Sequence, residues 1–284
     1  MTRFRIDLGY RGTDFHGWAK QPGLRTVQGK LEDGLARVTG TEVPTVVAGR
    51  TDAGVHARRQ VVHVDLGEEA IGKLVGRTNR TPETALLSRL RGVLTVDGSD
   101  DLVVHAVTEA PEDFDARFSA LWRSYRYRLA DHRSFLDPLL TEVTPRHKGE
   151  LDAEAMAEAA AEARGLHDFL PFCKPREGAT TIRTLHDLDV ARDDDAVITI
   201  DLRADAFCHH MVRALVGALI RVGSGAWPVT RPAEMLAEAD AGITAETPMF
   251  VTPAHGLVLT GVGYPPPEDY AVRAAQTMAR RDLD

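Results

Sequence analysis

Twice along this chain apolar alternation gives way to helical spacing and then returns, and that cadence limits the fold more than any other feature. Phe4, Ile6, Leu8 and Tyr10 lie two apart, the mark of a strand with one buried face. Val27, Leu31, Leu35 and Val38 follow at helical spacing, with Thr26 as cap and Gly40 as stop. Residues 45–48 and 60–66 read as strands again, so a strand, a helix and two further strands open an α/β domain. Thr81-Pro82-Glu83 starts a second helix carrying Leu86, Leu87 and Leu90, and residues 102–107 form a strand that closes the first half. In the second half Tyr125, Tyr127 and Leu129 share one face of a strand, with Ser124, Arg126 and Arg128 on the other. Asp152 caps an alanine-rich helix, residues 185–190 and 197–202 make a hairpin turning at Asp193-Asp194-Asp195, and residues 256–262 are a buried strand. The expected division is 1–107, 108–265 and a tail, 266–284, that ends as a frayed helix.

Between the strands at 45–48 and 60–66 lies Gly49-Arg50-Thr51-Asp52-Ala53-Gly54-Val55-His56. Its glycines allow a sharp turn and a close backbone approach to a ligand. Such a loop lifts the Asp52 carboxylate off a rigid sheet, with Arg50 two residues away to favour the ionised form a nucleophile requires. Taken alone, Asp52 reads better as a turn former accepting its own backbone N–H groups. A second candidate segment runs from Asp205, read as a helix cap, through His209 and Arg213. These two basic residues, four apart on one helical face, would make a phosphate seat. In the loop after the first strand, Phe15 and Trp18 read as packing residues. His167-Asp168 has no nucleophile elbow to complete a triad.

The 284 residues can bury a large core, and no apolar run approaches the length of a membrane span. The N-terminus enters a strand at once, which leaves no room for a signal peptide. Cys173 and Cys208 are too few for a disulfide framework and are not spaced as a metal site, which points to a reduced cytosol. A net charge of −8 argues mildly against a nucleic-acid partner. Its distribution argues the other way, because Arg50, Arg58 and Arg59, then Arg117, Arg123, Arg126 and Arg128, then Arg203 and Arg213, concentrate base in a few segments.

The string from Ala48 to His56 resembles the catalytic loop of the TruA family of tRNA pseudouridine synthases. Three other motifs carry the likeness in order: Gly17-Trp18 with Thr26-Val27-Gln28; Ala116-Arg117-Phe118-Ser119-Ala120 leading to Tyr125-Arg126-Tyr127; and residues 207–213. Gly256-Leu257 follows near the end. The sequence departs from the family at Arg11-Gly12, at Ser124 and across 76–84, which looks inserted. The resemblance implies two similar α/β subdomains sharing one mixed, largely antiparallel sheet flanked by helices. It implies an isomerase that converts uridine to pseudouridine at positions 38, 39 and 40 of the tRNA anticodon arm. It also implies a cytoplasmic homodimer that needs no cofactor and no metal.

By the same resemblance Asp52 is the catalytic aspartate, and Arg50 pairs with it and fills the space of the flipped base. Tyr125 stacks on the target uracil, Leu257 closes the pocket, and Arg213 lies near the aspartate and the substrate phosphates; the clustering of base, apart from the resemblance, adds His209, Arg58 and Arg126 as substrate contacts. Asp52 could attack C1′, attack C6 or abstract the 2′ proton, and the sequence leaves the three open. Two other readings use the same residues: a non-catalytic RNA-binding or tRNA-folding protein on the same scaffold, and a nucleoside or glycoside hydrolase. The second lacks a convincing partner carboxylate.

Overall fold

A computed structural model describes residues 1–77, 79–96, 98–175, 180–243 and 250–278. The chain is mixed α/β: its strands make one large, mostly antiparallel sheet, flanked by helices. It divides into two compact units. One comprises Met1–Leu121 together with the chain from Leu259 through the C-terminal helix, and the other is Trp122–Val258. The division differs from the one read in the sequence because the fourth strand runs past residue 107. The last strand and helix, moreover, pack with the first unit.

In the first unit β1 (Thr2–Tyr10) is followed by α1 (Val27–Thr39), the two-residue β2 (Val46–Val47) and β3 (His56–Leu66). Next come α2 (Glu68–Val75), α3 (Pro82–Leu94) and β4 (Leu102–Ala110). β1 pairs antiparallel with β3 on one side and β4 on the other, burying Phe4, Ile6 and Leu8 completely. Helix α1 starts where Thr26 accepts the Gly29 N–H and stops at Gly40 in left-handed conformation. α3 starts where Thr81 accepts the Thr84 N–H ahead of Pro82. α2 is an addition to the sequence reading, since its single buried stripe of Ala70 and Leu74 is too short to give a periodic signal. Thr78 of the 76–84 stretch and Asp97 of the following loop lie outside the described residues.

The second unit runs β5 (Trp122–Leu129), α4 (Ala153–Glu162), β6 (Gly165–Asp168), β7 (Ile182–Arg192), β8 (Ile198–Ala204), α5 (Met211–Gly223) and α6 (Arg231–Asp240). The strands lie in the order β5–β8–β7–β6, each pair antiparallel. The hairpin turns where expected, with Asp193 accepting the N–H groups of Asp195 and Val197. Tyr127 is fully buried and donates its hydroxyl to the Pro253 carbonyl, and burial pushes that phenol up to about 12.

Four sequence readings are corrected in this unit. Residues 165–168 pair with β7 as strand β6, whereas the sequence from His167 to Lys174 reads as a loop. His167 bonds to Asp240 across 2.7 Å, and the neighbouring Asp168 instead accepts from Leu170 N–H and Thr181. Asp205 does not cap α5: it accepts from Thr184 N–H and Ala206 N–H, while His210 in left-handed conformation precedes the helix. His209 therefore lies outside α5 and does not share a helical face with Arg213. Finally, Cys173 and Cys208 are joined by a disulfide, their Cα atoms 5.8 Å apart. That single bond ties the turn at Leu170–Phe172 to the segment leading into α5.

β9 (Leu257–Gly263) and α7 (Tyr270–Met278) end the described chain. Tyr270, buried against Phe114 at 5.1 Å between ring centroids, anchors the helix that the sequence read as frayed. Residues 279–284 of that tail lie outside the described residues.

Candidate active site

In the first unit the Asp52 loop is held from both ends. Asp52 caps the turn with its carbonyl, which accepts the Val55 N–H at 3.2 Å, and Gly54 between them has φ +78°, which favours glycine. The segment that follows β1 lies directly beneath. Trp18 N–H donates to Thr51 O and Gly54 N–H to Phe15 O. Gly12 N–H donates to His56 Nδ1 at 3.0 Å, so the buried imidazole is held as the Nε2–H tautomer. A Cβ on Gly12 would fall 2.0 Å from the Val55 carbonyl oxygen, so glycine is required for the two segments to lie this close. Phe15 and Trp18 are buried as expected and form the floor of the loop.

Asp52 is half-buried, so its carboxylate stands at the surface of this unit and not in its core. Arg50, two residues before Asp52, is exposed. Arg58, on β3, is also exposed.

The second unit carries the other sequence candidates. Tyr125, from the middle of β5, is 8% exposed and meets Phe207 edge to face with centroids 5.0 Å apart. Arg213, in the first turn of α5, donates Nε to the Thr252 carbonyl at 2.7 Å, which orients its guanidinium on the chain that leads to β9. Leu257 begins β9 and is buried. His209 is half-buried, its ring 3.9 Å from that of His210. Arg126 forms a two-pronged ion pair with Asp201, at 2.8 and 2.9 Å, and its pKa is raised chiefly by that hydrogen bonding. The charge of Arg126 is thus met within the β5–β8 strand pair.

A family model for tRNA pseudouridine synthases matches residues 159–265. Over nearly its whole length the chain is 49% identical to tRNA pseudouridine synthase A of Leifsonia xyli subsp. xyli, an alignment covering 99% of this chain and 98% of that protein. The chain belongs to the tRNA pseudouridine synthase A family. The tRNA pseudouridine synthase A of Streptomyces avermitilis is 48% identical, with coverage of 100% and 95%, and that of Cutibacterium acnes is 48% identical, with coverage of 99% and 95%.

Sequence reasoning passed over two residues that the structure places against the Asp52 loop, Tyr10 and Gln60. The available signal was Gln60 itself, a polar side chain beside the apolar run Val61-Val62 and completely buried in β3. Buried amides are retained where they have partners to satisfy.

Proposed function

We propose that this member of the tRNA pseudouridine synthase A family isomerises uridine at positions 38, 39 and 40 of the tRNA anticodon arm, with Asp52 as the reacting carboxylate. Family membership makes the chain a tRNA pseudouridine synthase, an isomerase. The observation that carries the assignment of Asp52 is its place on a braced turn, half-exposed, in a string that matches the family's catalytic loop. The reaction breaks the C1′–N1 bond, turns the uracil and joins C1′ to C5, with a proton leaving C5. Attack at C1′, attack at C6 and removal of the 2′ proton all begin from a carboxylate that can reach the nucleotide.

A stacked uridine must be everted first, at a cost of a few kcal/mol. Arg50, being exposed, is suited to fill the vacated space. Tyr125 would stack on the uracil and Leu257 would close the pocket. Arg213, His209, Arg58 and Arg126 would face phosphates, Arg126 after exchanging Asp201 for RNA. A homodimer spanning one tRNA, in the cytoplasm where tRNA is matured, completes the reading. Among the described residues no helix is long and apolar enough to cross a membrane.

The test is carbodiimide-stop mapping of unmodified tRNA incubated with the protein. New stops are expected at positions 38–40 in substrates with uridine there. Stops confined to another arm would overturn the assignment of position while leaving the isomerase intact.

A further inference from the structure

The β1–β3 pairing shifts register between Leu8 and Tyr10: Leu8 pairs with Gln60, but Tyr10 pairs with Ala57, so the extra residue lies in β3. An extra residue bends its strand and increases the local twist where it faces its partner. Here the phenol of Tyr10 is brought under the start of the Asp52 loop, where its oxygen lies 2.8 Å from Thr51 Oγ1. Gln60 Nε2 donates to the same phenol at 3.3 Å and to the Gly49 carbonyl at 2.8 Å, while Gln60 Oε1 accepts the Val61 N–H at 3.2 Å. The Tyr10 oxygen thus accepts from Gln60 and shares a hydrogen bond with Thr51 in which either hydroxyl can donate. Two side chains of the sheet therefore grip the loop at Gly49 and at Thr51, the residue immediately before Asp52. Both are sealed from solvent, with Gln60 at 0% and Tyr10 at 5% exposure.

We propose that Tyr10 and Gln60 are positioning residues for isomerisation, fixing the reach of the Asp52 carboxylate through Thr51 and Gly49. The inference rests on Asp52 as the reacting group. Misplacing a reactive atom by about 1 Å can cost on the order of a hundredfold in rate. A partial loosening through one lost hydrogen bond is expected to cost about tenfold. Burial pushes the Tyr10 phenol up to about 12, so the brace keeps its proton through the working pH range.

The experiment measures single-turnover rate and tRNA affinity for Tyr10→Phe, Thr51→Val, their double variant, Thr51→Ser, Gln60→Met and Asp52→Asn, each with a thermal melt. Tyr10→Phe, Thr51→Val and Gln60→Met are expected to lower the rate about tenfold at every pH, with affinity unchanged and the pH profile unshifted. The double variant should lose no more than its worse parent, since both break one contact. Thr51→Ser, which keeps the hydroxyl, should restore most of the rate. Rates within twofold of the parent in Tyr10→Phe and Thr51→Val, alongside an inactive Asp52→Asn, would overturn the brace and spare Asp52. Full turnover by Asp52→Asn would instead remove the reading beneath it. A fall in melting temperature with an unchanged rate of the folded protein would reduce the pair to a structural role.

Discussion

Asp131 shows how far one carboxylate can be committed to structure. Its side chain is fully buried and receives both prongs of Arg192, at 3.0 and 2.6 Å, together with the N–H groups of Leu151 and Arg133. Burial pushes this carboxyl up, but the bonds from Arg192 and the backbone outweigh it and hold the group well below the usual carboxylate range. A lowered folded pKa contributes stability that is complete above the unfolded value of about 3.9 and is lost as pH falls through the folded one. The melting temperature should therefore be flat in this contribution from neutral pH down to about 5 and fall on further acidification. Arg192→Met, which strands the buried charge, should cost about 3–5 kcal/mol in denaturant titration at neutral pH. A cost below about 1 kcal/mol would show that water reaches Asp131. Asp52 differs in being half-exposed, on a turn fixed through its neighbours.

At the level of elements, α1 depends on a single local bond at its start. Thr26→Ala removes the acceptor for Gly29 N–H and should cost about 1 kcal/mol, seen as a fall of about 2–4 °C in melting temperature. Those ends were readable from the sequence because Thr26 and Gly40 act within one turn of the helix they bound, and so were β1 and β5, whose alternation is local. β6 was not, because its four residues become a strand only by pairing with β7, whose partner residues lie 14 to 20 positions away. The start of α5 was missed because Asp205, a good cap by type, is bound to Thr184 across the sheet. The Asp52 loop was legible as an ordered string of nine residues. Its supports were not: the Tyr10 and Gln60 contacts span 41 and 50 positions and depend on a register shift that no pattern announces.

For the whole molecule, a net charge of −8 has to coexist with a polyanionic substrate. Ion pairs such as Arg126–Asp201 and Arg203–Asp187 already engage part of the basic inventory internally. Releasing counterions from even a few phosphates makes binding fall by about tenfold or more between about 50 and 200 mM salt. Filter binding of tRNA across that range checks it, and a flat response would contradict contact with the RNA backbone. Turnover is the property in which all these parts meet, and its most direct probe is tritium release from C5-labelled uridine in tRNA by Asp52→Asn. The variant should bind tRNA with near-parental affinity and release no tritium above background, whereas release at the parental rate would contradict a reacting carboxylate at Asp52.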